Sequence, residues 1–278
     1  MTRDEALLGA IRAHMKSLIV DRDDWRDAHI SDLYGCDFAT HARRSGDAAM
    51  PAVRDAEGAL KMALGVDIED KIAGALLEYY SLVDGIDAVR NERIAWNPKT
   101  GAVRRALLDA GHFLSVYPED DRRCEGCAHC SPAADELIGH MDFCVQELDG
   151  ETVFEIKSTS RFAFKKQCDA ARMGFGHYVE QLVGYATAIN AKRCGLFIAD
   201  RDACTIEGPF WIDLDATVAR AEGFDPELGS YRATARARAL EVLANTDPTA
   251  FPPAPKPRYK WQPQYCSLGD ACACKAMK

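Results

Sequence analysis

The strongest constraint on how this chain folds is a pair of short runs, Gly139-His140-Met141-Asp142 and Glu155-Ile156-Lys157, joined across Asp149-Gly150. An Asp-Gly pair between alternating apolar runs is a strong hairpin signal. A two-residue turn there pairs Leu148 with Glu151, Cys144 with Glu155 and Asp142 with Lys157. With a period of two, Val153, Glu155 and Lys157 point one way, while Phe154 and Ile156 point into the core. Asp142, Glu155 and Lys157 are therefore expected on one face. Diagonal cross-strand neighbours lie roughly 7 Å apart, so both carboxylates reach one divalent cation with the lysine beside it. The competing reading is an ordinary solvated face, with Asp142 and Lys157 as a cross-strand salt bridge.

Further along, His177-Tyr178-Val179-Glu180-Gln181-Leu182-Val183-Gly184-Tyr185 reads as helix, with Gln181 and Tyr185 one turn apart on the same face. Upstream, Gly65-Val66-Asp67-Ile68-Glu69 reads as a helix start with Asp67 as N-cap. Ile68, Ile72, Ala75, Leu76 and Tyr79 form its expected buried stripe, with Glu69 at the edge. On its own, a glutamate in a first helical turn is explained by the helix dipole.

Taken in series, Gly-x-x-Asp, Glu-x-Lys and Gln-x-x-x-Tyr, with an earlier helical acid, resemble the RecB-like branch of the PD-(D/E)xK nucleases. The resemblance spans roughly Ser31 to Tyr185. It implies that Asp142, Glu155 and Glu69 bind Mg²⁺ or Mn²⁺, with the carbonyl of Ile156 as a further ligand. It also implies that Lys157 orients or activates the attacking water, and that Gln181 and Tyr185 line a DNA channel. The implied reaction is metal-assisted hydrolysis of a phosphodiester.

Cysteine supplies a second line of argument, with 11 in 278 residues. No apolar stretch is long enough to span a membrane, and Met1-Thr2-Arg3-Asp4-Glu5 is too acidic for a signal peptide, so a cytoplasmic protein with reduced thiols is expected. Unevenly spaced cysteines in that setting read as metal ligands. Cys266, Cys272 and Cys274 follow the proline-rich run from Pro248 to Pro263, and Cys36 lies far upstream in Ile30-Ser31-Asp32-Leu33-Tyr34-Gly35-Cys36. This arrangement is similar to iron–sulfur RecB-like nucleases, including the CRISPR-associated exonucleases. There one N-terminal and three C-terminal cysteines hold a four-iron four-sulfur cluster that staples the chain ends. Zinc would suit the same thiolates. The terminal spacing departs from that family, which places the closely spaced pair first and the long gap second. A disordered cysteine-bearing tail is the plain alternative.

Cys124-Glu125-Gly126-Cys127-Ala128-His129-Cys130 forms a separate cluster. Two-residue gaps between Cys124, Cys127 and Cys130 let backbone amides fold round a metal such as zinc, with His129, Cys144, Cys36 or a distant residue as fourth ligand. These cysteines are also open to replacing part of the terminal quartet.

The sequence thus reads as α/β, a mixed central sheet flanked by helices in a restriction-endonuclease-like core. A cysteine-ligated metal flap is expected to join its N- and C-terminal segments. Residues 1–247 form that core, including Cys36 and the 124–130 insertion, and 248–278 form a proline-rich tether with the terminal cysteines. Residues 1–30 are expected to be mainly a helix, 50–110 mainly helical, 113–117 a first strand, 194–199 and 208–214 further strands, and 215–245 helical.

A net charge of −9 excludes a protein coated with cations for nonspecific nucleic-acid binding. Local cations suffice for a channel, and Arg43-Arg44, Lys165-Lys166 and Lys256, Arg258, Lys260 with Tyr259 and Trp261 are candidates. The expected activity is a DNA exonuclease on single-stranded or free-ended DNA, because chain-end staples can close a tunnel round a threaded strand. A structure-selective endonuclease or CRISPR-adaptation processing nuclease, and a non-catalytic cysteine-metal DNA-binding protein, are the alternatives. DNA is the expected partner, no membrane is expected, and no protein interface signature is read.

Overall fold

The computed structural model describes residues 30–31, 56–83, 86–107, 135–216 and 229–244, with backbone alone at the start of the first helix and at the end of the second strand. In chain order these form α1 (Ala56–Ser81), β1 (Asp87–Trp96), β2 (Val103–Leu107), β3 (Leu137–Glu147) and β4 (Gly150–Thr159). There follow α2 (Arg161–Arg172), α3 (His177–Ala188), β5 (Arg193–Asp200), β6 (Thr205–Ile212) and α4 (Tyr231–Ala244). The fold is α/β, with a mixed six-stranded sheet flanked by helices and strand order β2-β1-β3-β4-β5-β6. Only β4 and β5 pair in parallel within this sheet. Their parallel pairing requires a crossover, which α2 and α3 supply.

Helices cover both faces. Phe143, Val145, Phe154 and Ile156 pack beneath α1, against Ile72, Ala73, Leu76, Leu77 and Tyr80. The other face carries Ile94, Trp96, Leu137, Met141, Cys144, Val153, Leu196 and Ile198, which pack with the buried residues of α3 and α4. Phe154 sits among aromatic rings, with centroids of Phe197 at 5.6 Å and Trp211 at 5.5 Å.

Several expectations are corrected. The helix runs unbroken from Ala56, so Asp67 is an exposed mid-helix residue and not an N-cap. The buried stripe is rotated: Ala75 and Tyr79 face solvent, while Gly65, Glu69, Ile72, Ala73, Leu76 and Tyr80 turn inward. Residues 87–107, expected to be helical, form β1 and β2. Their turn is organised by Asn97, whose side chain accepts the N–H groups of Lys99 and Thr100 at 3.0 and 3.1 Å. The later strands lie where expected, extended or shifted by a few residues, and the C-terminal helix begins at Tyr231. The expected helix in 1–30 and strand at 113–117 lie outside the described residues, Ile30 excepted.

The hairpin is shifted too. Glu147 pairs with Gly150 and Phe143 with Phe154, so the two turn residues are Leu148 and Asp149. The shift moves each partner by two positions, which preserves the faces.

A further irregularity was not legible as alternation. Leu137 and Met141 belong to the α3 side, yet Phe143 and Val145 belong to the α1 side. Strand β1 makes the same change, from Ala88 on the α1 side to Ile94 and Trp96 on the α3 side. Between them stands Asn91 with φ of +52°, a left-handed conformation that asparagine tolerates. Both strands therefore switch face at the level of Asn91 and Asp142.

Phe154→Ala is expected to cost about 3–5 kcal/mol in urea denaturation, because the ring is buried among aromatic neighbours. Leu148→Ala, at a turn residue 99% exposed, is expected to stay within about 0.5 kcal/mol.

Candidate active site

Strands β3 and β4 part immediately after the Phe143–Phe154 pair. Beyond it β4 loses β3 as a neighbour but keeps β5, so the backbone N–H of Ile156 needs another acceptor. The Asp142 carboxylate takes it, accepting that N–H at 2.8 Å. Asp142 is thereby fixed in the opening, next to the side chains of Glu155 and Lys157.

Lys157 fills the centre. Its Nζ pairs with Glu155 Oε1, lies 3.3 Å from Asp142 Oδ2 and donates to the Ile156 carbonyl at 3.2 Å. The ammonium thus touches three of the four oxygen-bearing groups expected to hold a cation. From the far side of the sheet, Glu69 reaches the end of β4, where its Oε1 accepts the Ser158 N–H at 3.0 Å and the Ser158 hydroxyl at 3.2 Å. Gly65, one turn before Glu69, makes this approach possible: a Cβ there would lie 2.8 Å from Ser158 Oγ.

Glu155 is wholly buried, which corrects the expectation of a projecting charged face. The cause is the parallel pairing of β4, which brings helix α3 down over this side. Burial, reinforced by the Asp142 charge and opposed by Lys157, pushes the Glu155 carboxyl up to about 8. Its Oε1 is ion-paired with Lys157, and its Oε2 has no partner among the described residues. Glu69 is also raised, mainly by burial and against the pull of Lys157. Burial alone would lower Lys157, but Glu155, Asp142 and Glu69 outweigh it and hold the ammonium protonated.

Helix α3 contributes from above. Tyr185 lies across β3 at Gly139, where a Cβ would sit 2.7 Å from the ring. Its hydroxyl accepts a hydrogen bond from Gln181 Nε2 at 2.9 Å. Tyr185 is only 4% exposed, so it lies under the site, whereas Gln181 is half-buried. Burial and the Glu155 charge raise the phenol, which stays protonated.

His177 was missed in the sequence, although His177, Gln181 and Tyr185 are spaced by four along α3 and so share a face. Its ring centroid is 3.9 Å from that of Tyr178. Burial, then the Lys157 charge, lowers it to about 4, leaving a neutral imidazole. Tyr178, bonded to Thr159, and Arg201 at the end of β5 complete the rim.

Asp142, Glu155, Lys157, Glu69 and the Ile156 carbonyl are thus brought together, with Gln181 and Tyr185 beside them. Among the described residues no group of three His, Cys, Asp or Glu side chains stands at ligand spacing, because Lys157 lies between the carboxylates. The donor set is oxygen only, and a buried Glu155 carboxyl with Oε2 unpartnered among the described residues fits a hard cation such as Mg²⁺ or Mn²⁺. Cys36, Cys124, Cys127, Cys130, Cys266, Cys272 and Cys274 lie outside the described residues. Cys144, one candidate fourth ligand, is buried 3.6 Å from an Arg105 nitrogen. Burial, then the charge of Glu151, pushes its thiol up to about 12.

Between about pH 4.5 and 8 the folded chain holds a proton on Glu155 that the unfolded chain has released. Its contribution to stability therefore falls as pH rises through that window. In thermal melts without divalent ions, Glu155→Gln is expected to shrink the difference in Tm between pH 5 and pH 8. Gly139→Ala is expected to cost about 1–3 kcal/mol by crowding Tyr185, read by urea denaturation.

No family model matches the chain, and no curated protein matches it. Among solved structures, one titled "Crystal structure of SSO0001" aligns over 96% of this chain and 96% of its own, at 12% identity and a TM-score of 0.45. None of the described helices is long and apolar enough to cross a membrane.

Proposed function

We propose that this chain is a divalent-metal-dependent deoxyribonuclease of the PD-(D/E)xK kind, with a restriction-endonuclease-like core. The observation that carries the reading is the convergence of Glu69, Asp142, Glu155, Lys157 and the Ile156 carbonyl where β3 and β4 separate. Groups from α1, β3 and β4 meet there, and a salt bridge on a solvated sheet face would not require a wholly buried Glu155. Taking a carboxylate wholly out of water costs several kcal/mol, a burden more readily understood at a site that binds charge.

Asp142, Glu155 and Glu69, with the Ile156 carbonyl, would hold Mg²⁺ or Mn²⁺. A bound divalent ion would supply Lewis-acid polarisation of the phosphate and a lowered pKa for water. Asp142 keeps its carboxylate aimed through the Ile156 N–H. Lys157 keeps its proton among these carboxylates and offers positive charge to an oxygen developing negative charge. Gln181 fixes the Tyr185 hydroxyl, and the buried Tyr185 lies within the electrostatic reach of Glu155. Neutral His177, at the open end of the same helix face, has the chemistry to bond a phosphate or sugar oxygen.

The substrate we favour is single-stranded or free-ended DNA cut as an exonuclease. Cys36, Cys266, Cys272 and Cys274 hold a four-iron four-sulfur cluster, or zinc, in this reading, and Cys124, Cys127 and Cys130 a second metal.

With Mg²⁺ or Mn²⁺, the purified chain is expected to degrade labelled linear DNA and to spare closed circles. Asp142→Ala and Lys157→Ala are each expected to lower the rate by about 10²-fold or more with the circular dichroism spectrum unchanged. Undiminished cleavage by either variant would overturn the assignment, and cutting of circles would move it to an endonuclease. Anaerobic purification is expected to yield iron and sulfide in equal amounts, reduced in Cys36→Ala; zinc alone would overturn the cluster.

A further inference from the structure

Helix α2 leaves β4 directly after the candidate site, with Phe162 five residues beyond Lys157, a chain reach of at most about 18 Å. Its start is pinned at that end of the sheet: the Arg161 N–H donates to Asp202 Oδ2 and the Arg201 N–H to the Thr159 carbonyl, each at 2.9 Å. The helix anchors through Phe164, Cys168 and Ala171. Phe162 points the other way and is 99% exposed.

Lys165 and Lys166, at three and four positions from Phe162, share its face and are exposed. Among the described residues, neither lysine has a carboxylate partner. Asp169, the next acid along, is held by Arg172 at 2.8 Å. A fully exposed aromatic ring one helical turn from two uncommitted cations, in a chain of net charge −9, is complementary to one class of ligand. A single nucleic-acid strand offers both an unpaired base for the ring and phosphates for the ammonium groups.

We propose that Phe162, Lys165 and Lys166 form a stacking platform for single-stranded DNA, which holds one unpaired base and its flanking phosphates as the strand leaves the candidate site. The inference rests on the DNA-substrate part of the proposed function. Phe162 supplies affinity indifferent to base identity, because every base presents a π-face. The lysines supply the salt-sensitive share.

The test is fluorescence anisotropy with labelled oligothymidylate and Mg²⁺, on the full chain carrying Asp142→Ala so that the strand stays intact. Phe162→Ala is expected to raise Kd roughly ten-fold, Phe162→Trp to restore it, and the distant Leu148→Ala to leave it unchanged. Joint replacement of Lys165 and Lys166 by alanine is expected to reduce the slope of log Kd against log salt by about 1.4. An unchanged Kd in Phe162→Ala, or an equal loss on a blunt duplex without unpaired bases, overturns the platform. Loss of oligothymidylate affinity on Phe162→Ala, when the chain with Asp142 intact cuts no DNA, would uphold the platform and defeat the nuclease reading. Cleavage without any Phe162 effect on binding would do the reverse.

Discussion

One hydrogen bond organises this protein: the Ile156 N–H to the carboxylate of Asp142. Where two strands separate within a sheet, backbone donors that would have met the neighbouring strand's carbonyls must find other acceptors. Here the acceptor is a charged side chain, so the same contact closes the backbone account and fixes a carboxylate in the gap. The neighbouring residues of β4 then fall into place, because pairing with β5 continues past the separation. Rigid strand on one side and an opened ladder on the other give a site that is wide enough for charge and still held firmly.

Burial sets the chemistry of that opening. Asp142 and Lys157 retain some contact with solvent, Glu155 none. A lysine drawn into three carboxylate fields keeps its proton, and a carboxylate drawn away from water gains one easily. These opposite tendencies in adjacent groups reflect cost as much as function: a fully apolar version of this cluster would fold more readily. The two glycines, Gly65 and Gly139, belong to the same design. Each removes a Cβ where a helix must come close to the sheet, one for Glu69 and one for Tyr185.

The meeting of Asp142 with Glu155 and Lys157 was legible because period two and an Asp-Gly turn constrain a hairpin strongly, although the expected ladder pair of Asp142 with Lys157 is absent and the contact is through side chains. The register was not, since Leu148-Asp149 replaces Asp149-Gly150 at the turn while leaving the parity intact. Glu69 was legible as a helical acid, but the helix start was misplaced: Asp67 resembles a cap chemically, and only packing shows that the helix continues through it. β1 was hidden because its charged residues interrupt the alternation, and because Asn91 resets its face halfway along. His177 required knowing which side of α3 meets the sheet. The cysteine segments lie outside the described residues.

The bond from Ser158 to Glu69 spans 89 positions of chain. Such a contact requires a long loop to close, and the β4–β5 pair requires its crossover, so this cluster carries a larger loop-closure cost than the β3–β4 hairpin beside it. A chain still emerging from the ribosome past Lys157 but lacking β5 would carry the carboxylates without the strand that supports them. The geometry of the cluster is thereby tied to completion: half-built copies would hold its side chains without its arrangement.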